Sequence, residues 1–209
     1  QRLLTNTVSI VPVIDARGRV DGYYQYKESK DPGVIKSRSV TVLGLGYVGL
    51  TLALVLADNG FEVRGFDTDR SVLDTLERKE APFFENGLAD FLAKHVGRNM
   101  KLMDSISAMK SDVYIITVGT PILAGGKKPN IGYIRDAAAS ITSVLEAGDM
   151  VILRSTVPIG CTRNEVLPIL ETRSKLKCGQ DFYLAFAPER TVEGVALKEL
   201  YKNPQIIGA

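Results

Sequence analysis

The sequence predicts an α/β fold of the Rossmann type: a doubly wound, mostly parallel sheet with an N-terminal β-hairpin appendage. Three observations lead there. The stretch Ser39–Gly49 runs a short β-branched segment, Val40–Leu43, into Gly44, Gly46 and Gly49, and then into an apolar helical pattern, Leu50–Ala57. This is G-x-G-x-x-G with a strand before it and a helix after it. Next, Asp67 closes the following strand, Glu62–Phe66, about 20 residues on, where a ribose-binding carboxylate belongs. Lastly, strand-like and helix-like segments alternate from residue 39 onward, as in parallel strands joined by crossover helices.

Before that alternation, Val8–Asp15 and Val20–Tyr26 are strand-like, with Ala16–Arg19 as a hairpin loop. Pro12 cannot donate to a ladder and so belongs on an edge. Asp31-Pro32-Gly33 breaks the chain, which divides it into an appendage with linker, residues 1–38, and a dinucleotide domain, residues 39–209. Within the glycine turn, Gly44 permits the tight strand-to-helix reversal and Gly46 lets the backbone approach a pyrophosphate. Gly49 lets the helix pack closely on the sheet. Leu45, Tyr47 and Val48 complete the cradle, with Tyr47 either touching or shielding the ligand. Phosphates there would meet free amides at a helix N-terminus.

A helix is expected over about Arg70–Lys79, a loop over Ala81–Leu88 with Phe83 and Phe84 as packing residues, and a second helix over about Leu88–Val96. Asp112–Thr117 reads as a buried strand ending in Val118-Gly119-Thr120-Pro121. Ile131–Glu146 has a helical period, and Asp149–Leu153 is the next strand, ending at Arg154–Pro158. Gly160–Arg173 is helical, interrupted or kinked by Pro168. Phe182–Phe186 is a strand leading to Pro188–Glu193, and Gln205–Ile207 is the last strand. Ligands of such sheets bind outside the carboxyl ends of the strands. The glycine turn, Asp67, Val118–Pro121, Ser155–Pro158 and Pro188–Glu193 all fall there.

The composition, 45% hydrophobic and 24% charged over 209 residues, is that of an ordinary globular protein. A formal charge of +2 with no long Lys/Arg run gives no reason to expect nucleic acid. No apolar stretch approaches the ~20 residues of a membrane span. Cys161 and Cys178 form neither metal spacing nor a disulfide framework, so no metal site and a reducing cytoplasm are expected. The start at Gln1 reads as that of an excised or processed piece, and the end at Gln205–Ala209 as a strand cut short.

Five motifs occur in one order: Gly-Leu-Gly-Tyr-Val-Gly-Leu, Phe-Asp-Thr-Asp, Gly-Thr-Pro, Ser-Thr-Val-Pro-Ile-Gly and Ala-Pro-Glu-Arg-Thr-Val-Glu-Gly. Together they resemble the N-terminal domain of the UDP-glucose/GDP-mannose dehydrogenase family over about residues 39–209. The resemblance implies oxidation of C6 of a nucleotide-linked sugar to a carboxylate, with two NAD per turnover and a cysteine thioester. By matching position, Gly44–Gly49 would cradle the pyrophosphate. Asp67 would bind the adenosine ribose, its charge selecting NAD over NADP. Val118, Gly119, Thr120, Pro121 and Ile122 would line the path beyond the pyrophosphate. Ser155, Thr156 and Val157 would lie near the nicotinamide, with the Thr156 hydroxyl on a catalytic water. Glu189 would be the acid/base carboxylate of thioester hydrolysis, and Glu193 a cofactor and substrate contact.

The chain departs from the family pattern in places. Val72 stands where a Lys or Arg is usual, so Arg70 substitutes from its own position or that contact is lost. Cys161 replaces a usual Thr. The nucleophilic cysteine and its Lys and Asp partners lie in later domains, so this stretch is expected to bind NAD without turning over. Full-length members are expected as homo-oligomers acting on a nucleotide-sugar. Pro-Glu-Arg in place of Pro-Glu-Phe points to the branch acting on UDP-N-acetylhexosamines. Blander readings stand beside these. Glu189 could be an ion-pair partner of Arg190, and Thr156 a helix cap. His95 is expected as an exposed or capping side chain. Residues 11–23 resemble half of a cystathionine-β-synthase-type repeat, or are a stray hairpin. The rival functions are a 3-hydroxyacid-type dehydrogenase and a non-catalytic nucleotide-sensing module.

Overall fold

Two sheets form among residues 10–14, 20–25, 39–106, 110–123, 126 and 128–209, which the computed structural model of the chain describes. In the smaller, β1 (Ile10–Ile14) and β2 (Val20–Gln25) pair antiparallel, with an irregularity between Val13 and Ile14. The expected hairpin is therefore present, and a two-stranded sheet has only edges on which to place Pro12. The expected hairpin loop, residues 16–19, and the breaker, residues 31–33, lie outside the described residues.

The larger sheet holds β3 (Ser39–Leu43), β4 (Glu62–Phe66), β5 (Met100–Met103), β6 (Val113–Ile116), β7 (Met150–Leu153) and β8 (Tyr183–Phe186). Every pairing is parallel and the spatial order is β5-β4-β3-β6-β7-β8. Counted from β3, that is 3-2-1-4-5-6, the doubly wound order whose ligand crevice opens where the winding reverses. Here the reversal lies between β3 and β6. The register sets Leu43 opposite both Phe66 and Ile116, so three carboxyl ends stand level at the crevice.

The helices are α1 (Tyr47–Asp58), α2 (Arg70–Glu77), α3 (Leu88–His95), α4 (Gly132–Ile141), α5 (Leu167–Ser174) and α6 (Ala196–Lys202). Alternate strand residues feed opposite layers, as the period of two requires. Val40, Val42 and Ile115 pack with Leu50, Ala53, Leu54, Leu73, Leu76 and Leu92. Leu43, Tyr114 and Ile116 pack on the other face with Ile134, Ala138, Ile141 and Leu170. α1 lies between the sheet, α3 and α6, which is why it is apolar almost all round.

Several expectations are corrected. β5 was not foreseen, because Met-Lys-Leu-Met has no β-branched residue and forms only a short edge. Nor was α6, in a stretch between Glu193 and Gln205 for which no element is expected. The strand expected at 205–207 does not form. Pro204 has no N–H, and only Gly208 meets β8, in an antiparallel bridge to Phe186 with N–H···O distances of 2.7 and 2.9 Å. The expected interruption by Pro168 appears as a π-helical turn, Thr162–Val166, leading into α5. Pro168 removes one N–H and crowds the carbonyl four residues back, and the widened turn accommodates both.

His95 is buried rather than exposed. Its Nε2 lies 3.0 Å from Asp58 Oδ1 and its Nδ1 3.0 Å from Asn99 Oδ1. Asp58 also accepts from Lys94 Nζ and from the Tyr201 hydroxyl of α6. Those bonds, with the one from His95, hold its carboxyl down at about 2. Of the two phenylalanines expected to pack, Phe83 does so and Phe84 is 79% exposed.

Candidate functional site

The glycine turn is built from the backbone outward. Gly44 has φ +95° and donates its N–H to Phe66 O at 2.8 Å, so the turn hangs on the end of β4. A Cβ there would lie 3.0 Å from the Val118 backbone. At Gly49 a Cβ would fall 1.8 Å from Gly44 O and 2.6 Å from Thr117 Oγ1. The requirement at Gly49 is thus the closeness of the helix to its own turn and to the end of β6. Gly46 is exposed with open space where a Cβ would be, so its face of the turn is free for a ligand. α1 starts with no capping side chain and no acidic residue in its first turn. Its first amides have no intrahelical partners, which leaves donors and a positive dipole end for phosphate.

Asp67 braces that turn. Its Oδ2 accepts the Leu45 N–H at 2.7 Å and its Oδ1 the Asp69 N–H at 2.9 Å. Asp69 in turn caps α2 through Ser71 N. Each carboxylate oxygen keeps a lone pair, so a ribose hydroxyl can still donate to it. Arg70 points elsewhere. Its guanidinium bonds Asp74 Oδ1 at 2.7 Å and Glu77 Oε1 at 2.9 Å, with Asp104 at 3.6 Å.

Across the crevice the loops after β6 and β7 are joined. Ser155 is buried, its hydroxyl donating to Val118 O at 2.7 Å, and the Thr120 hydroxyl donates to Thr156 O at 2.8 Å. Thr156 and Gly119 are exposed, Val157 is half-buried and Ile122 is 69% exposed. Pro121 O accepts the Asn130 N–H at 2.7 Å, which closes the loop beyond.

Glu189 pairs with Arg154 rather than with the side chain of Arg190. The Arg154 side chain is only 6% exposed and that of Glu189 10%. Glu189 Oε2 accepts Arg154 Nε at 3.0 Å and Nη2 at 2.5 Å, while Oε1 accepts the Arg190 and Thr191 N–H groups at 2.7 and 2.9 Å. Burial alone would raise this carboxyl, but the Arg154 charge and the four hydrogen bonds outweigh it and hold the pKa below its ordinary value. Glu189 is therefore a carboxylate at neutral pH. It is suited to accepting a proton or stabilising positive charge rather than to donating a proton.

The third wall is a cleft of about 320 Å³ between the first turn of α1 and the loop after Glu189, lined by Tyr47, Phe83, Phe84, Glu193 and Gly194. Tyr47 donates its hydroxyl to Glu85 Oε2 at 2.6 Å and its ring lies 4.9 Å from Phe83. Burial, then the Glu85 bond and charge, raise the Tyr47 phenol above its ordinary pKa. Sequence reasoning missed Arg154, Thr117 and Glu85. Arg154 had a legible signal, since a cation directly after a buried apolar strand needs an acid nearby. Thr117 had less: its hydroxyl donates to Leu43 O and Gly44 O at 2.8 Å each, a role set by strand adjacency. Glu85 lies in a loop and had no local signal.

A sequence model of the NAD binding domain of the UDP-glucose/GDP-mannose dehydrogenase family matches residues 38–209. The chain is 35% identical over 175 residues to a UDP-N-acetyl-D-mannosamine dehydrogenase of Campylobacter jejuni, covering 81% of this chain and 43% of that one. It is 36% identical over 180 residues to an NDP-N-acetyl-D-galactosaminuronic acid dehydrogenase of Ralstonia solanacearum, covering 83% and 42%. The solved structure of UDP-D-ManNAc dehydrogenase from Pyrococcus horikoshii superposes with a TM-score of 0.77 at 35% identity, covering 81% of this chain and 40% of that one. The chain thus spans about two fifths of the length of these relatives.

Proposed function

From the premise that the chain belongs to the UDP-glucose/GDP-mannose dehydrogenase family as its NAD-binding domain, we propose that it is the cofactor half of a nucleotide-sugar 6-dehydrogenase. The observation that carries this reading is that the Asp67-braced glycine turn, the joined Thr120–Thr156 loops and the ionised Glu189 all follow the carboxyl ends of strands in one parallel sheet. When bound, NAD supplies the hydride acceptor. Gly46 and the first amides of α1 take the pyrophosphate, and Asp67 takes the adenosine ribose. Val118–Ile122 continue that path. Ser155 fixes the loop, so that Thr156 and Val157 flank the reacting end. Glu189 accepts a proton from water during thioester hydrolysis, and Glu193 closes the cleft over cofactor and sugar. Pro-Glu-Arg and the relatives named for N-acetylated hexosamines favour a UDP-N-acetylhexosamine as substrate, with polysaccharide precursors as product.

Residues 1–38 are proposed as an appendage outside the catalytic unit and residues 39–209 as the NAD-binding domain. Among the described residues no helix is long and apolar enough to cross a membrane. The two free cysteines fit a reducing compartment, and membership of the family is the ground for expecting the whole protein to act as a homo-oligomer in the cytoplasm.

Calorimetric titration of the chain is expected to show NAD binding and much weaker NADP binding, because a 2′-phosphate would meet the Asp67 charge. Asp67→Asn should narrow that preference about tenfold, the scale of one charge–charge contact screened nearly as in bulk water. Equal affinity of the wild type for the two dinucleotides would remove Asp67 from the ribose site. The whole gene product, assayed with UDP-N-acetylhexosamines and UDP-glucose, should form two NADH per sugar. NAD binding with no turnover on any of these sugars would instead favour a sensing module.

A further inference from the structure

Two parts of the crevice that are far apart in sequence meet at one carboxylate. Glu85 is 6% exposed. Its Oε2 accepts both the Tyr47 hydroxyl at 2.6 Å and the Gly194 N–H at 2.8 Å, and its Oε1 accepts the Leu197 N–H at 3.3 Å. Asn86 takes the other side of Gly194, donating Nδ2 to its carbonyl at 2.5 Å. Gly194 has φ +87°, so this grip holds the loop in a conformation that few other residues adopt. Tyr47 closes the ring by reaching Val192 O at 3.3 Å.

We propose that Glu85 is a positioning residue that sets the first turn of α1 against the Glu193-bearing loop, so that both sides of the cleft are in place for the dinucleotide. It does so through other groups: Tyr47 holds the turn, and the Gly194 and Leu197 amides hold the loop and the start of α6. The inference rests on the reading of the glycine turn as the NAD cradle. A carboxylate is suited to the task because it can accept three donors at once. A glutamine keeps the shape but turns one acceptor into a donor, which then faces a backbone N–H.

The test is NAD titration of the wild-type chain, Tyr47→Phe, Glu85→Gln and the double variant, with thermal melts alongside. Each single variant is expected to weaken NAD binding about tenfold, the effect of one charge-assisted hydrogen bond, with the double no worse than the weaker single. Asp58→Asn is the control for loss of helix anchorage in general, since Asp58 holds α6 from its far end through Tyr201 at 2.6 Å. It should lower the melting temperature yet leave NAD affinity within about twofold. The proposal is overturned if Tyr47→Phe and Glu85→Gln bind NAD as the wild type does, if their losses multiply in the double variant, or if Asp58→Asn weakens NAD equally. Failure of the wild-type chain to bind NAD would overturn the cradle reading itself, a result separate from any ratio between variants.

Discussion

Gly49→Ala is expected to abolish measurable NAD binding and to destabilise the chain by about 3 kcal/mol or more. The added methyl would stand 1.8 Å from Gly44 O and 2.6 Å from Thr117 Oγ1. Both atoms are fixed. Gly44 O belongs to the turn that α1 grows from, and Thr117 Oγ1 is held by its own bonds to Leu43 O and Gly44 O. Relief therefore requires α1 to move off the end of β6, which displaces the amides that would meet the pyrophosphate. Gly46→Ala is the contrasting variant, with open space around its Cβ. It should keep the wild-type melting temperature and lose NAD affinity only through the blocked approach. Urea unfolding and calorimetry on the two variants check the pair, and a Gly49→Ala chain that binds NAD normally would refute the steric account.

Arg154→Met should cost about 3–5 kcal/mol at neutral pH, because it leaves a nearly buried carboxylate without its cation. Met replaces much of the buried volume, so the loss reports on charge rather than on a cavity. Glu189→Gln in the same background should restore a substantial part, since the uncompensated charge is then gone. In the wild type the Glu189 pKa is depressed. Its contribution is therefore fully present above the unfolded carboxyl value, about 4.3, and is lost as pH falls through the lower folded value. In Arg154→Met burial is opposed only by the Arg190 and Thr191 N–H groups, so less of the pH-dependent contribution remains to be lost and the gap between variant and wild type should close on acidification. Urea titrations between about pH 4 and pH 8 measure this. A gap of under about 1 kcal/mol at neutral pH would mean that water, or Gln205, whose Oε1 accepts Arg154 Nη1 at 2.8 Å, compensates the carboxylate.

Much of the sheet was legible because its strands are buried on both faces and read as short apolar runs, as at Val113–Ile116 and Met150–Leu153. β5 was not, since Met100–Met103 is an edge strand with a lysine inside it and takes its identity from pairing with β4. The error at His95 has a related cause. A lone histidine beside a lysine looks solvated, and only the packing of α3 on α1, which brings His95 to Asp58, shows that this end of α3 is enclosed. Arg70, offered as a replacement for a missing basic residue, instead bonds Asp74 and Glu77 along its own helix. Those partners lie four and seven residues away and were legible in the sequence.

The sequence by itself determined the fold class and the class of ligand, and it pointed to the carboxyl ends of the strands as the place to look: glycines, Asp67 and the strand-end motifs depend on local backbone chemistry, which a short stretch of chain carries within itself. It also located the carboxylate at 189. Only the tertiary structure decided what state that carboxylate is in and what holds the crevice together. Arg154 reaches Glu189 across 35 residues, and Glu85 reaches Tyr47 across 38 and Gly194 across 109. The physical reason is that protonation and positioning depend on which charges and donors meet in space, and those meetings follow from the strand order of the sheet.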